Sequence, residues 1–259
     1  MAAVFRQALR AEWVKARSDR GTAWLLATLV TLSVAVSAAS VAAARCPAAG
    51  CGQDPARISL TGVYLGQVVA ALAGVLVIGG EYGTGMIRLT LAAVPRRGRL
   101  LAAKAVVVAA LVLAASAVAV GASMLAGRLI LPGHGFTSAS GFDLASAAMW
   151  RASLFGAADL TLIALLGLGV AAAVRDSAVA TGVTLGVLYL FPVAAGLVQD
   201  PALQRHLEQV GPLAASMDSL ATTGLSTLPL SPWQGLGVVA LWAAGALILG
   251  GTVLRVRDA

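Results

Sequence analysis

Residues Gly79 to Arg99 read GGEYGTGMIRLTLAAVPRRGR, and the G-x-x-x-x-G from Gly80 to Gly85 has the spacing of a loop that wraps backbone N–H groups around a phosphate. Such a loop needs Lys and then Ser or Thr directly after its last glycine, to reach the terminal phosphates and the magnesium ion. Met86 and Ile87 stand there instead, so the residue types exclude nucleotide chemistry at this position. Nucleophilic hydrolysis fares no better. No G-x-S-x-G elbow occurs, and His134 and His206, the two histidines, lie far apart in the chain. Cys46 and Cys51 form a C-x4-C within the segment RCPAAGCGQDPAR. On an oxidising side they can close a small disulfide; the alternative is a pair of free thiols. Asp159 is the one charged side chain inside an otherwise apolar interval. An acid there either lines a polar path or binds a cation, or it pairs with a neighbouring helix or water.

These residues sit in a chain of 259 residues with 59% hydrophobic and 11% charged side chains, where an ordinary soluble domain carries roughly a quarter charged. The charges partition the sequence. There are 24 uncharged residues between Arg20 and Arg45, and 23 in each of the intervals Arg57–Glu81, Lys104–Arg128 and Asp176–Asp200. Arg151 to Arg175 makes a fifth interval, broken only by Asp159, and a sixth apolar run follows Pro232. A bilayer core of about 30 Å takes roughly 20 residues of helix. The expected fold is therefore all-α and polytopic, with six transmembrane helices at about 22–44, 59–80, 104–127, 151–174, 178–198 and 233–254. A first apolar run of this length behind a basic leader reads as an uncleaved span, since a secretory core is roughly 7–15 residues.

Basic residues stay on the cytoplasmic side during insertion. With the N-terminus inside, 13 of the 18 Lys and Arg residues fall on cytoplasmic segments, which places both termini in the cytoplasm and leaves 256–259 as a short tail. The net charge of +7 is then a topology signal, not the basic face of a nucleic-acid module. The broken segment 200–232 is expected to form short re-entrant helices on the outside, shielded by protein. Small residues such as Gly62, Gly66, Gly167, Gly169, Gly182 and Gly186 predict dense helix packing.

Two amphipathic segments flank the first spans. In residues 1–20, Phe5, Leu9, Trp13 and Ala16 recur at helical spacing beside Arg6, Arg10 and Arg17, the pattern of a helix lying in the headgroup plane; a disordered basic leader is the alternative. In the loop 81–99, the glycines Gly79 and Gly80 are expected to end the second span, Thr84 to cap a helix from about Gly85 to Val94, and Pro95 to stop it. Ile87, Leu91 and Val94 make one apolar stripe, suited either to a groove of a partner protein or to the lipid surface.

The arrangement resembles the permease subunits of type 2 ATP-binding-cassette (ABC) exporters. The resemblance is carried by Gly80, Glu81, Tyr82, Thr84, Gly85, Ile87, Arg88, Thr90, Leu91, Pro95, Arg96 and Arg97 in the loop, and by Glu12, Lys15 and Arg17 in the leader. Gly83 stands where that family often has a larger residue. The resemblance implies a multi-pass protein of a bacterial cytoplasmic membrane that exports a substrate without being an enzyme itself. No cofactor would be bound directly; ATP and magnesium would sit on a separate cytoplasmic ATPase, present in two copies, beside a second or related permease. The coupling helix would dock on that ATPase through Glu81, Tyr82, Thr84, Gly85, Ile87, Arg88, Leu91, Pro95, Arg96 and Arg97, braced by the leader helix with Phe5, Leu9, Glu12, Trp13, Lys15 and Arg17. Two other classes use the same residues differently: a membrane anchor that recruits a partner but moves nothing, and an ion-coupled carrier built on Asp159.

Overall fold

A computed structural model describes residues 2–46, 53–93, 97–136 and 146–256. Among them there is no strand, and six helices are long and apolar enough to cross a membrane. The order is α1 (Ala2–Ser18), α2 (Arg20–Ala43), α3 (Pro55–Ser59), α4 (Gly62–Thr84), α5 (Met86–Ala93), α6 (Arg97–Ile130), α7 (Ala147–Val174), α8 (Ser177–Leu197), α9 (Pro201–Val210), α10 (Pro212–Ser219) and α11 (Pro232–Val256). The candidate spans are α2, α4, α6, α7, α8 and α11, with α6 continuing through a 3-10 turn to His134.

Several helix starts follow from their sequence. Asp19, Asp54, Ser146, Asp176 and Asp200 each precede a helix and accept hydrogen bonds from its first free N–H groups. The carboxyl of Asp19 also takes the Thr22 hydroxyl at 2.7 Å, and these bonds hold it below the usual carboxylate range. Between α7 and α8 only Arg175 and Asp176 intervene, Arg175 in the left-handed conformation that ends α7.

The central helix is α7, which packs against α4, α6, α8 and α11 and buries most of its length. Helices α2, α8 and α11 keep large apolar side chains such as Leu190, Leu197, Leu241 and Ile248 exposed. In water such surfaces would drive aggregation; in a bilayer they are the lipid-facing side. Trp24 stands near the start of α2 at one end, with Trp150 and Trp233 near the starts of α7 and α11 at the other, all more than 60% exposed, as expected of aromatic anchors at two interfaces.

Close crossings rest on small residues. A Cβ built on Gly74 would lie 1.8 Å from the Ala164 carbonyl oxygen of α7, and one on Gly62 would lie 1.8 Å from the Ser33 carbonyl oxygen of α2. At the latter crossing the Ser37 hydroxyl accepts from the buried Gly62 N–H at 3.0 Å, satisfying a donor that lipid could not. Gly182 and Gly186 carry the same spacing in sequence but face open space, with no atom within 4 Å of an added Cβ.

The loop after the second span departs from expectation. Gly79 and Gly80 do not end α4; the helix runs on to Thr84 and stops at Gly85, whose φ of +72° a residue with a Cβ adopts only at a cost. Thr84 is therefore the last residue of α4 and not a cap for the next helix, its hydroxyl bonding back to the Gly80 carbonyl at 2.9 Å. The third span likewise begins at Arg97, ahead of the apolar interval, in a helix of 34 residues. At 1.5 Å per residue that is about 50 Å, well beyond a bilayer core.

The Gly74→Val variant is expected to lower stability by about 1–3 kcal/mol or more through overpacking, while Gly182→Ala, inside α8 and facing open space, raises it by up to about 1 kcal/mol. Thermal unfolding of the two purified variants in one detergent checks the contrast.

Candidate functional site

Among the largest fully buried side chains of the described residues is a lysine, Lys104 of α6. Its ammonium donates to Glu12 of α1 at 2.8 Å and to Glu81 of α4 at 2.6 Å, and Lys15 of α1 bonds the same Glu81 oxygen. Both carboxylates are themselves less than a tenth exposed. The extra turns of α4 and α6 make this possible, because they carry Glu81 and Lys104 to the level at which α1 packs on α6. Taking one ammonium out of water costs several kcal/mol, and two carboxylates with short contacts are what offset it. Three helices from distant parts of the chain thus share one cation.

The charge cluster also orients α1. Ala8 and Glu12 form its buried face, whereas Trp13 and Val14 are 43% and 64% exposed. Phe5, Leu9 and Lys15 are half-buried and Arg17 is exposed. The helix formed by Ala2–Ser18 is thus set against α6 by its acid, with Trp13 turned outward.

Of the loop residues, Glu81 belongs to this cluster, and Tyr82 is half-buried with the Arg175 guanidinium 6.0 Å above its ring. Ile87 packs into the chain's own core at 4% exposure, whereas Met86 at 45% and Leu89 at 73% are exposed among the described side chains of α5. Arg97 donates to the Leu254 carbonyl at 2.8 Å, and Arg175 to that of Val253 at 3.4 Å. Both thereby place positive charge at the C-terminal end of α11. Arg88 and Leu91 lie on α5 by backbone alone, and Pro95 and Arg96 lie outside the described residues.

At the opposite end, the segment after Asp200 folds over the bundle. Helix α10 is wedged among α7, α8 and α11, with a Cβ on Gly235 only 2.3 Å from the Ala215 carbonyl oxygen. Asp54 receives the Thr222 hydroxyl at 2.6 Å and the Thr223 N–H at 2.9 Å, while Arg57 donates to the Met217 carbonyl and to Asp218 at 3.0 Å each from Nη2. Burial pushes the Asp218 carboxyl above the ordinary aspartate range, against the attraction of Arg57. Cys46 is disulfide-bonded; Cys51 lies outside the described residues.

Asp159 is fully buried and joins α4, α7 and α10: the Gln67 amide donates to Asp159 Oδ2 at 3.0 Å and to the Ser216 hydroxyl at 2.6 Å. Of the two sequence readings for Asp159, the geometry shows the contact with neighbouring elements.

Sequence reasoning missed Lys104, Gln67, Ser216 and Asp54. In the sequence Lys104 bounds an apolar interval and counts among the cytoplasmic basic residues, and neither role indicates enclosure, though it lies seven residues after Arg97 on one helix and so roughly on the same face. Glu12 and Glu81, two acids each beside an apolar stripe, were the signal that a buried cation was needed. Neither a protein-family model nor a curated protein matches this chain.

Replacing Lys104 by Met should cost about 3–5 kcal/mol, since two carboxylates lose their partner. Adding Glu12→Gln and Glu81→Gln should recover much of it, and thermal unfolding of the single and triple variants reads the difference. A second expectation concerns pH. Because the native Asp218 carboxyl holds its proton more tightly than the unfolded one, its contribution is full below the ordinary aspartate value and is lost as pH rises through the raised native value. Asp218→Asn should flatten that part of the stability-against-pH curve, followed by the same unfolding assay across pH.

Proposed function

We propose that this chain is the membrane-spanning permease subunit of an ATP-driven ABC exporter, with both termini and α5 on the cytoplasmic side. The reading rests on the residues 80–97 that resemble the family's loop and on one observation of geometry. Lys104 bridges α1 and the end of α4 from within α6, and Gly85 connects that end directly to α5. A force on α5 is therefore passed to three helices at once, through ion pairs that are too buried to exchange freely with water. This is what a subunit driven by a partner's nucleotide cycle requires.

In this reading a separate ATPase seats against α5. Its contact is the outward pair Met86 and Leu89 together with the arginines of the loop, not the stripe that includes Ile87, which the chain uses for its own core. ATP-driven closure of two ATPases, one under each of two permeases, moves α1, α4 and α6 together and alters access between the two ends of the bundle. The exterior lid is α10 and the 220–224 segment, held by Asp54, Arg57 and Arg151, the last donating to the Ala221 carbonyl. Asp159 serves the packing of α10 against α4 and α7.

The test is copurification: the tagged chain, expressed in its own host, should retain a separate ATPase subunit. Leu89→Asp should abolish it while the permease still inserts and unfolds at the wild-type temperature; undiminished capture would remove the docking assignment. ATP-dependent export into inverted vesicles holding both subunits then separates a transporter from an anchor, which would bind the ATPase and move nothing.

A further inference from the structure

Four acids are buried among the described residues: Glu12, Glu81, Asp159 and Asp218. Lys104 pairs with the first two and Arg57 with the last. Asp159 has no cation; its polar neighbours, Gln67 of α4 and Ser216 of α10, are neutral. Helices α4, α6, α8 and α11, all packed on α7, carry no charged residue within their apolar intervals. On α10 the charged residue is Asp218, already held by Arg57. On α7 itself the nearest in sequence is Arg151, eight residues earlier and so about 12 Å along the axis, and it donates to the Ala221 carbonyl.

Two acceptors at this contact lack a hydrogen. Gln67 Nε2 gives one hydrogen to Asp159 Oδ2 at 3.0 Å and the other to the Ser216 hydroxyl at 2.6 Å, which uses both. Asp159 Oδ1 and Gln67 Oε1 remain, each with under 1 Å² of accessible surface and no hydrogen-bond partner. So little open surface leaves no place for a water molecule to supply the missing hydrogen. Each of these oxygens shares a carbon with one of the two atoms already in contact. Two acceptors cannot satisfy one another, but one proton changes the count, because a carboxylic acid is neutral and donates a hydrogen that an amide carbonyl accepts. A carboxyl enclosed without a cation takes up a proton in preference to staying charged.

We propose that Asp159 is a proton-binding site beneath α10: Oδ1 carries a proton and donates it to Gln67 Oε1, Gln67 Nε2 donates back to Oδ2, and the proton is held while α10 is seated. Ser216 is the link, since it bonds the same amide from α10. The helix is seated by its close crossing with α11 at Gly235 and by the Arg57 and Arg151 contacts. When α10 withdraws, water reaches the acid. The O–H bond then breaks with its electron pair left on Oδ1, and the proton passes to that water. Proton binding and the seating of α10 therefore favour each other, as linkage requires, and low pH at this end of the bundle stabilises the seated helix.

Infrared spectra of the purified chain in lipid nanodiscs at about pH 7, where a solvated aspartate of pKa about 3.9 is ionised, test this. The wild-type spectrum minus that of Asp159→Asn should contain the carbonyl stretch of one protonated carboxylic acid, shifted in heavy water. The substituted amide still offers one donor and one acceptor, so this variant should fold. Asp218→Asn should retain the band, which assigns it to Asp159. Gly235→Val, which pushes α10 from α11 and leaves Asp159, Gln67 and Ser216 unchanged, should abolish the band at the same pH. Arg151→Gln, which releases the Ala221 carbonyl without crowding any crossing, should weaken it. Absence of the band from the wild type, or its persistence in Asp159→Asn, would overturn the proposal. A band kept in full by both Gly235→Val and Arg151→Gln would overturn the dependence on α10. The spectra read Asp159 whether or not an ATPase docks, so either failure leaves the exporter reading standing.

Discussion

A lysine ammonium with no exposure to solvent is the constraint around which one end of this protein is organised. Burying it is unfavourable by several kcal/mol unless carboxylates are held within hydrogen-bond reach, and neither Glu12 nor Glu81 is near it in the chain. They are 92 and 23 residues away. To meet, α4 must run a turn past its glycines, α6 must begin ahead of its apolar interval, and α1 must turn its acid inward and Trp13 outward. Each of these departs from what hydropathy alone predicts, and each follows from the same need.

The opposite end is organised by hydrogen bonds to backbone. Asp54 caps α3 and also takes Thr222 and Thr223, so one carboxylate settles both a helix start and the position of a loop 168 residues on. Arg57 and Arg151 reach the carbonyls of Met217 and Ala221. Donors of this kind allow the irregular backbone after α10 to lie against apolar helices, where unsatisfied carbonyls would not be tolerated. The bundle is thus closed by ion pairs at one end and by capped backbone at the other, with tight glycine crossings between.

Much of the fold was legible. The six apolar intervals correspond to the six candidate spans, and the aspartates and serine that start helices are where capping chemistry would put them. Less of the site was legible. The stripe of Ile87 and its neighbours reads as a docking face, yet Ile87 points into the core and Leu89 outward, because amphipathicity states that a helix has an apolar face without saying what covers it. The glycine pairs teach the same lesson: Gly62 and Gly66 lie at a crossing with α2, whereas Gly182 and Gly186, identical in spacing, face nothing.

What the sequence determined by itself is the number of candidate spans. That is a local property, since crossing a bilayer takes about 20 consecutive apolar residues. What only the tertiary structure decided is which charges meet. Lys104 sits at the edge of an apolar interval, as a topology-setting lysine would, and nothing in its neighbourhood of sequence reveals that it is enclosed. Its enclosure depends on how α1, α4 and α6 pack, and an ion pair between helices is a property of that packing, not of any one helix.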